Sequence, residues 1–157
     1  ARPNAKSKQD GENKEGFKFK VRYQYAPLTA SADSRDFCKK MVATKKIYRK
    51  EDIEMMSNTY LGDGYTNKDG KVVGWGKGGA LTFDRFFYKG GGDCHHFWMR
   101  KTYRAKKKGL KPDVGNPNAE VSVNKAKKEG FKPEVNAKEV AMRPTDMPNN
   151  GFVNKKR

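Results

Sequence analysis

An alternation of apolar and polar side chains predicts the first regular element of the chain. Apolar residues take every second position at Phe17, Phe19, Val21, Tyr23 and Tyr25, and polar residues lie between them. Successive side chains of a strand point to opposite faces of a sheet, so a period of two predicts a half-buried β-strand. Pro27 ends this strand, because proline has no N–H to offer to a ladder.

Apolar residues at helical spacing predict two helices after this strand. The first can be capped by Asp33 or Ser34, and its apolar residues share one face. These residues are Phe37, Cys38, Met41 and Val42. The arrangement directs Cys38 towards the interior, although a buried cysteine is often only a small apolar residue. A second, short helix is predicted over 50–57, with Ile53 and Met56 facing inwards.

Glycine dominates the stretch from 58 to 80, where seven glycines exclude a long regular element. Asp63 and Asp69 lack the spacing and the terminal glutamate of a calcium loop. The stretch also lacks the GxxxxGK[ST] pattern of a phosphate-binding loop. We therefore predict a surface or interface loop, followed by an apolar strand over 81–88.

These elements predict an α+β fold. A small domain over 16–104 would contain a short mixed or antiparallel sheet and two short helices. Residues 1–15 are polar and basic and are predicted to form an extended arm or linker. Residues 105–157 are predicted to form a long, extended basic tail.

The predicted tail contains a short repeat. Gly-Leu-Lys-Pro at 109–112 is echoed by Gly-Phe-Lys-Pro at 130–133. Two copies are too few for a solenoid, and they are typical instead of two docking segments that fold on a partner. Leu110 and Phe131 would be their apolar anchors. The alternative is a basic tail that is simply solvated.

Composition and charge narrow the class of protein. Hydrophobic residues make up 34% of the chain and charged residues another 34%, which favours a core smaller than the full length. The net charge of +17 favours a polyanionic partner, either nucleic acid or an acidic protein surface. A high positive charge can also simply keep an assembly subunit in solution. We expect no membrane association, since the sequence contains no apolar run of membrane-spanning length.

The densest chemistry lies between positions 88 and 100, which hold one of the two cysteines and both histidines. If this segment is extended, Cys94, His96 and Trp98 share one face, whereas His95 lies on the other. Thiolate sulfur and imidazole nitrogen are the ligands that zinc prefers. We therefore predict a structural zinc site formed by Cys38, Cys94 and His96, with His95 as a fourth candidate. The alternative is a Cys38–Cys94 pair that packs with Trp98 and binds no metal.

Catalysis is the competing interpretation of the same residues. A nucleophilic cysteine needs a base within hydrogen-bond reach, and Cys38 with His95 or His96 could meet that requirement. A nuclease could use Asp93, His96 and Arg100. Neither pattern is specific, and no third group that would orient a base can be identified. We expect that the protein is not an enzyme, with a metal- or thiol-dependent nuclease or protease as the alternative.

Basic residues follow this cluster directly and alternate with aromatic ones. The candidate contact residues are Arg100, Lys101, Tyr103, Arg104, Lys106, Lys107 and Lys108. Cations beside aromatic rings are typical of phosphate contact combined with base stacking. They are equally compatible with docking onto an acidic protein surface.

Three patches in this order resemble the C-terminal region of tailed-bacteriophage head proteins. They are the segments 34–38 (SRDFC), 48–53 (YRKEDI) and 88–98 (YKGGGDCHHFW). The chain is most similar to virion structural proteins of crAss-like phages and more distantly to Mu F-like minor head proteins. In these families an Arg-x-x-Cys segment precedes a Cys-x-His-x-Trp segment. Here the matching positions are Arg35 and Cys38, then Cys94, His96 and Trp98, and the segment 143–151 is also similar.

This resemblance covers about residues 17–157 and implies a structural component of the virion head or portal vertex. Such a protein would be made in the host cytoplasm and assembled into the phage particle in several copies. Its expected partners are neighbouring head or portal proteins, together with the packaged DNA.

Overall fold

The structure is a computed structural model that describes residues 1–28, 30–31, 33–92 and 94–133. Over these residues the chain has an α+β fold, with short helices and antiparallel strands, as the sequence predicts. The elements in chain order are β1 (Gly11–Glu12), β2 (Lys18–Ala26), α1 (Asp36–Thr44), β3 (Ile47–Tyr48), α2 (Lys50–Met56), β4 (Tyr65–Thr66), β5 (Val72–Val73), α3 (Arg85–Tyr88), β6 (Phe97–Arg104), β7 (Glu120–Val121) and α4 (Val123–Lys128). Short 3-10 helices cover Lys77–Gly79 and Pro117–Ala119.

The main sheet has the strand order β1-β2-β6-β7, and β3 also pairs with β2. β1 is antiparallel to β2 with Gly11 opposite Phe19, and β7 is antiparallel to β6. A small second sheet consists of β4 and β5, which pair antiparallel inside the glycine-rich stretch. The two long strands are β2 and β6, and the remaining strands have two residues each.

The described residues divide into two compact units. The first comprises Ala1–Gln24, Lys46–Asp52 and residues 99–133, and the second comprises Tyr25–Lys45 and Ile53–Trp98. The buried side chains of the first unit include Phe19, Val21, Tyr23, Tyr48 and Tyr103. Those of the second include Tyr25, Phe37, Ile53, Phe86 and Trp98. In the first unit, the rings of Phe19 and Phe131 stack with their centroids 4.7 Å apart.

The half-buried strand that the sequence predicts first corresponds to β2, so its location is correct. The expectation that its polar side chains face solvent is wrong for Arg22. Arg22 was expected to face solvent, yet its side chain is completely buried. Its guanidinium donates to a carboxylate oxygen of Asp10 at 2.6 Å and to the carbonyl oxygens of Pro3 and Ala5 at 2.7 and 2.8 Å. An alternating pattern cannot foresee this burial, because the partners come from a distant part of the chain.

The ends of the described chain are more ordered than the sequence led us to expect. Residues 1–15 contain β1 and the Arg22 partners, and so contribute to the first unit rather than forming an extended arm. Residues 105–133 contain β7 and α4, with Ala105, Ala119 and Ala126 buried. These small apolar residues give little periodic signal, which is why the pattern suggested a tail. Residues 134–157, including the similar segment 143–151, lie outside the described residues.

Two local predictions are corrected. Residues 81–88 do not form a strand, because Asp84 accepts hydrogen bonds from the N–H groups of Phe86 and Phe87 and starts helix α3. Helix α1 begins after Arg35, without a side-chain cap from Asp33 or Ser34. The helix predicted over 50–57 is confirmed by α2. Every helix in the described part of the chain is too short or too polar to cross a membrane.

The repeat anchors Phe131 and Leu110 should differ sharply in their contribution to stability. Phe131 is 9% exposed and stacks on Phe19, whereas Leu110 is 50% exposed. We expect Phe131→Ala to lower the free energy of unfolding by about 3 kcal/mol, because it leaves a cavity beside Phe19. Leu110→Ala should change it by less than about 0.5 kcal/mol. Urea unfolding of both variants checks this, and equal effects would contradict an intramolecular role for Phe131.

Asp52 should make stability depend on pH in the acid range. Burial alone would raise the pKa of this carboxyl, but the Arg49 guanidinium and the N–H groups of Arg2 and Arg49 lower it from 3.8 to about 2. Its contribution, about 2 kcal/mol, is therefore complete above pH 4 and is lost as the pH falls through 2. Unfolding measured from pH 5 to 2 should show this loss in the wild type. Asp52→Asn should remove that part of the pH dependence, and an unchanged profile would exclude Asp52 as its source.

Candidate metal centre

The second unit brings together three side chains that are far apart in the sequence. Cys38 comes from the buried face of α1, and Cys94 and His96 come from the segment that leads into β6. The ligand atoms of these three residues all lie within 4.8 Å of one another, and all three side chains are buried. They form a cluster that could bind a metal ion.

The distance between the two sulfur atoms fits a single metal ion bound to both of them. The Sγ atoms of Cys38 and Cys94 are 3.7 Å apart, and both cysteines are free. Two thiolates bound tetrahedrally at about 2.3 Å from one zinc ion would be separated by about 3.8 Å. A disulfide requires about 2 Å. The donor set and its spacing therefore fit a zinc-type ion.

Glycine is required at position 90 because the backbone passes directly over the sulfur pair. A Cβ atom at Gly90 would lie 2.5 Å from the Cys38 sulfur and 3.2 Å from the Cys94 sulfur. The neighbouring Gly91 has a φ of +103°, and a Cβ there would lie 2.5 Å from the carbonyl oxygen of Trp75. Glycine at 90 is thus explained by close approach to the sulfur pair, and glycine at 91 by close approach to Trp75 together with its positive φ.

Arg35 fastens this glycine loop. Its guanidinium donates to the carbonyl oxygen of Gly90 at 2.9 Å and also to that of Gly92. It lies over the ring of Trp75, 4.2 Å from the ring centroid. Arg35 precedes Cys38 by one turn. The N-terminal end of α1 therefore carries Cys38 itself and, through Arg35, also holds the glycine loop beside Cys94.

Tyr25 lies at the centre of the cluster. Its hydroxyl oxygen is 3.2 Å from the Cys38 sulfur and 3.3 Å from the Cys94 sulfur. Its ring stacks on the His96 imidazole at a centroid distance of 5.0 Å and meets Trp98 edge-on at 4.9 Å. Through Tyr25, strand β2 therefore supplies an aromatic side chain that contacts all three candidate ligands.

Arg85 contacts residues next to the candidate ligands on both chain segments. Its guanidinium donates to both carboxylate oxygens of Asp63 at 2.9 and 3.0 Å and lies over the ring of Phe37. Its backbone carbonyl accepts from the indole N–H of Trp98 at 2.9 Å. Phe37 precedes one ligand and Trp98 follows another by two residues. Arg85 therefore links the two chain segments that carry the ligands.

The cluster favours one negative charge on Cys94. The hydrogen bond from the Cys38 thiol lowers the Cys94 pKa despite burial, and His96 and the Gly90 backbone contribute further hydrogen bonds. The Cys38 pKa is raised, because its proton is held in the bond to Cys94 and because burial disfavours a second charge. Burial, followed by the nearby sulfurs, also raises the Tyr25 pKa well above its usual value. Binding a divalent cation would supply the charge needed to ionise both thiols.

A buried cation lies close to this charge. Lys89 has no exposed surface, and burial lowers its pKa to about 8, while the charge on Cys94 acts in the opposite direction. Lysine is almost never fully buried without compensation. Attraction to the charge on Cys94 is one favourable contribution to this buried ammonium group.

A pocket of about 290 Å³ opens onto the cluster. It is lined by Cys38, Cys94 and His96 together with Ser31, Asp33, Ser34, Arg35 and His95. The pocket gives an ion a path to the ligands. His95 lines the same pocket, but its side chain is exposed and it is not one of the three clustered residues. Asp93 lies outside the described residues.

The predicted contact residues are placed in three different environments. Lys106, Lys107, Lys108 and Leu110 are exposed and available for a partner. Arg100, Lys101 and Arg104 are half-buried on β6, where Lys101 pairs with Glu120 and Arg104 with Glu129. Tyr103 is fully buried, as are Trp98 and most of Phe131. The buried rings are therefore not available for stacking on a base, although the sequence suggested this role for Tyr103.

Sequence reasoning found the three ligands but missed the residues that position them. Arg35 and Gly90 belong to segments that drew attention, yet the contact between them depends on tertiary structure. In the sequence, Tyr25 stands out only as one of the apolar positions of the alternating strand. Searches against protein-family models, curated proteins and solved structures found no match to this chain.

Gly90→Ala should disrupt the cluster of Cys38, Cys94 and His96. The added methyl group would overlap the Cys38 sulfur and force the two thiols apart, so we expect zinc affinity to fall by at least about tenfold. Gly62→Ala is the control, because Gly62 is in the same unit, has a φ of +73° and has open space around its Cβ position. It should lower stability slightly and leave zinc affinity unchanged. Competition titration against a zinc chelator measures both, and equal affinities would contradict the close approach.

Proposed function

We propose that this chain is a non-enzymatic structural protein of a phage virion whose second unit is stabilised by one zinc ion bound to Cys38, Cys94 and His96. The single observation that carries the proposal is the buried cluster of three zinc-type ligands with sulfurs 3.7 Å apart. The positions that match the phage head-protein motif support it further. Arg35, Cys38, Cys94, His96 and Trp98 are separated in sequence, but they all belong to this one site.

Zinc is favoured over other metals by the chemistry of the ligands. Two thiolates and an imidazole are soft or borderline donors, whereas calcium and magnesium require oxygen. A chain with few hydrophobic residues gains much from a metal that joins distant segments, since binding free energy becomes folding free energy. When bound, the ion would hold α1 and the segment before β6 together.

The proposed location is the head or portal vertex of the particle, where the chain would contact neighbouring head or portal proteins and the packaged DNA. The exposed Lys106, Lys107 and Lys108, beside exposed Leu110, offer a surface for contacts with neighbouring head or portal proteins. The net charge of +17 is suited to a position close to DNA. Mass spectrometry of purified particles should find this chain at a fixed ratio to the major head protein, and its absence from particles would contradict the location.

A zinc-dependent hydrolase is the second candidate function. One observation favours it: three protein ligands adjoin a pocket, and catalytic zinc sites keep one coordination position open. Asp33 lines the same pocket and could accept a proton from a bound water. The burial of both thiols and the fastening of Arg35 to backbone carbonyls favour the structural role.

The two adjacent histidines offer a matched test of the zinc site. Wild type and His95→Ala should bind one zinc ion per chain with equal affinity, because the His95 side chain is exposed and outside the cluster. His96→Ala should lose affinity by at least about a hundredfold, and its stability should no longer respond to a chelator. Metal analysis combined with thermal unfolding measures both. Equal zinc binding by His95→Ala and His96→Ala would contradict the proposed site.

Activity assays separate the two candidate functions. Zinc-loaded wild type and zinc-loaded His95→Ala should not cleave DNA, RNA or denatured protein above the rate of a buffer control. Cleavage by the zinc-loaded protein that disappears on zinc removal, while the fold is retained, would establish the hydrolase instead.

A further inference from the structure

The first unit contains a second candidate site formed by four lysines, of which only Lys111 belongs to a segment that the sequence singled out, the repeat at 109–112. A pocket of about 470 Å³ lies beside β1 and β2 and has four lysines in its lining, Lys6, Lys18, Lys20 and Lys111. Lys6 and Lys111 are exposed, and Lys18 and Lys20 are half-buried. The remaining lining residues are Asn4, Asp10, Gly11, Glu12, Phe19 and Pro112.

The carboxylates around this pocket do not balance the lysines. Asp10 is engaged by the Arg22 guanidinium at 2.6 and 3.3 Å, and it also accepts from the N–H of Ser7. Its charge is therefore matched by a cation that does not line the pocket. Glu12 lies opposite Lys18 in the β1–β2 pair and offsets one ammonium group. The pocket is left with a clear excess of positive charge.

Lys20 lies where the positive charges of Lys18 and Lys111 act on it. Lys20 is held in place by donating to the carbonyl oxygen of Asn4 at 3.0 Å. Burial lowers the pKa of Lys20, and the charges of Arg22, Lys111 and Lys18 lower it further, while Asp10 opposes them. A bound anion would relieve this repulsion, because it would make favourable contacts with several amines at once.

The residues beneath the lysines are packed into the first unit. Phe19 is completely buried and stacks on Phe131, and Pro112 is also buried. The lysines are therefore the groups that this pocket presents to a ligand. A rim of several amines suits a chain of closely spaced negative charges, such as the phosphates of a nucleic-acid backbone.

We propose that this pocket binds the sugar–phosphate backbone of nucleic acid, with Lys6, Lys18, Lys20 and Lys111 contacting the phosphates. This site differs from the basic run at 100–108, where Arg104 and Lys101 are paired with acidic residues and the aromatic Tyr103 is buried. It rests neither on the metal centre nor on the virion location. Its failure would leave the proposed function standing, and the reverse also holds.

The test compares three double variants of the full chain that remove equal charge from exposed positions. Lys6→Gln/Lys111→Gln alters the pocket, Lys106→Gln/Lys107→Gln alters the basic run, and Lys127→Gln/Lys128→Gln on α4 is the control. Binding of a short labelled DNA duplex of arbitrary sequence is measured by fluorescence anisotropy over a range of salt concentrations. Thermal unfolding confirms that each variant is folded.

We expect the pocket variant to bind DNA at least about tenfold more weakly, and its salt dependence to fall by about two phosphate contacts. The basic-run and control variants should lose only the small, equal amount that follows from lower net charge. Equal loss in all three variants would overturn the proposal, since binding would then depend on total charge alone. Equally tight, pocket-dependent binding of polyglutamate would also overturn it, in favour of an acidic protein partner.

Discussion

The approach of two sulfur atoms is the constraint on which the second unit depends. Cys38 and Cys94 are held 3.7 Å apart in a buried site, with the Tyr25 hydroxyl touching both. Two thiols so close disfavour a second negative charge, and a bound cation removes that cost. The glycine at 90 is needed to let the backbone pass over the pair, and the arginine at 35 fastens the same loop. The second unit therefore contains a buried cluster that could bind a metal ion.

Buried arginines provide much of the remaining order in a chain with few hydrophobic residues. Arg22 in the first unit and Arg85 in the second are completely buried, and each is bound to a carboxylate and to backbone carbonyls. Replacing such pairs by apolar residues can be neutral or even stabilising, so they are weak indicators of stability. Their role here is better described as specificity, because each guanidinium makes its hydrogen bonds only when several distant segments lie in one arrangement. At the candidate metal centre, the half-buried Arg35 similarly joins distant segments by donating to the backbone carbonyls of Gly90 and Gly92.

Local patterns predicted more of the candidate site than of the fold around it. Cys94 and His96 were placed on one face, and Cys38 on the inner face of its helix, from spacing alone. The alternation of burial from Cys94 to Trp98 confirms that interpretation. The same method failed at 81–88, where the Asp84 side chain caps a helix in a run that is apolar enough for a strand. Apolarity over a few residues does not distinguish strand from helix, and capping decided the outcome.

The sequence by itself determined the α+β class, the long first strand, the first helix and the ligand types of the candidate site. These follow from periodicity and residue chemistry, which act over a few neighbouring positions. Only the tertiary structure decided that Arg22 is buried, that Phe131 is held against Phe19, and that the ligands meet at a distance suited to zinc. Each of these depends on contacts between residues more than ten positions apart. Such contacts are fixed by the packing of whole elements, for which no local pattern carries information.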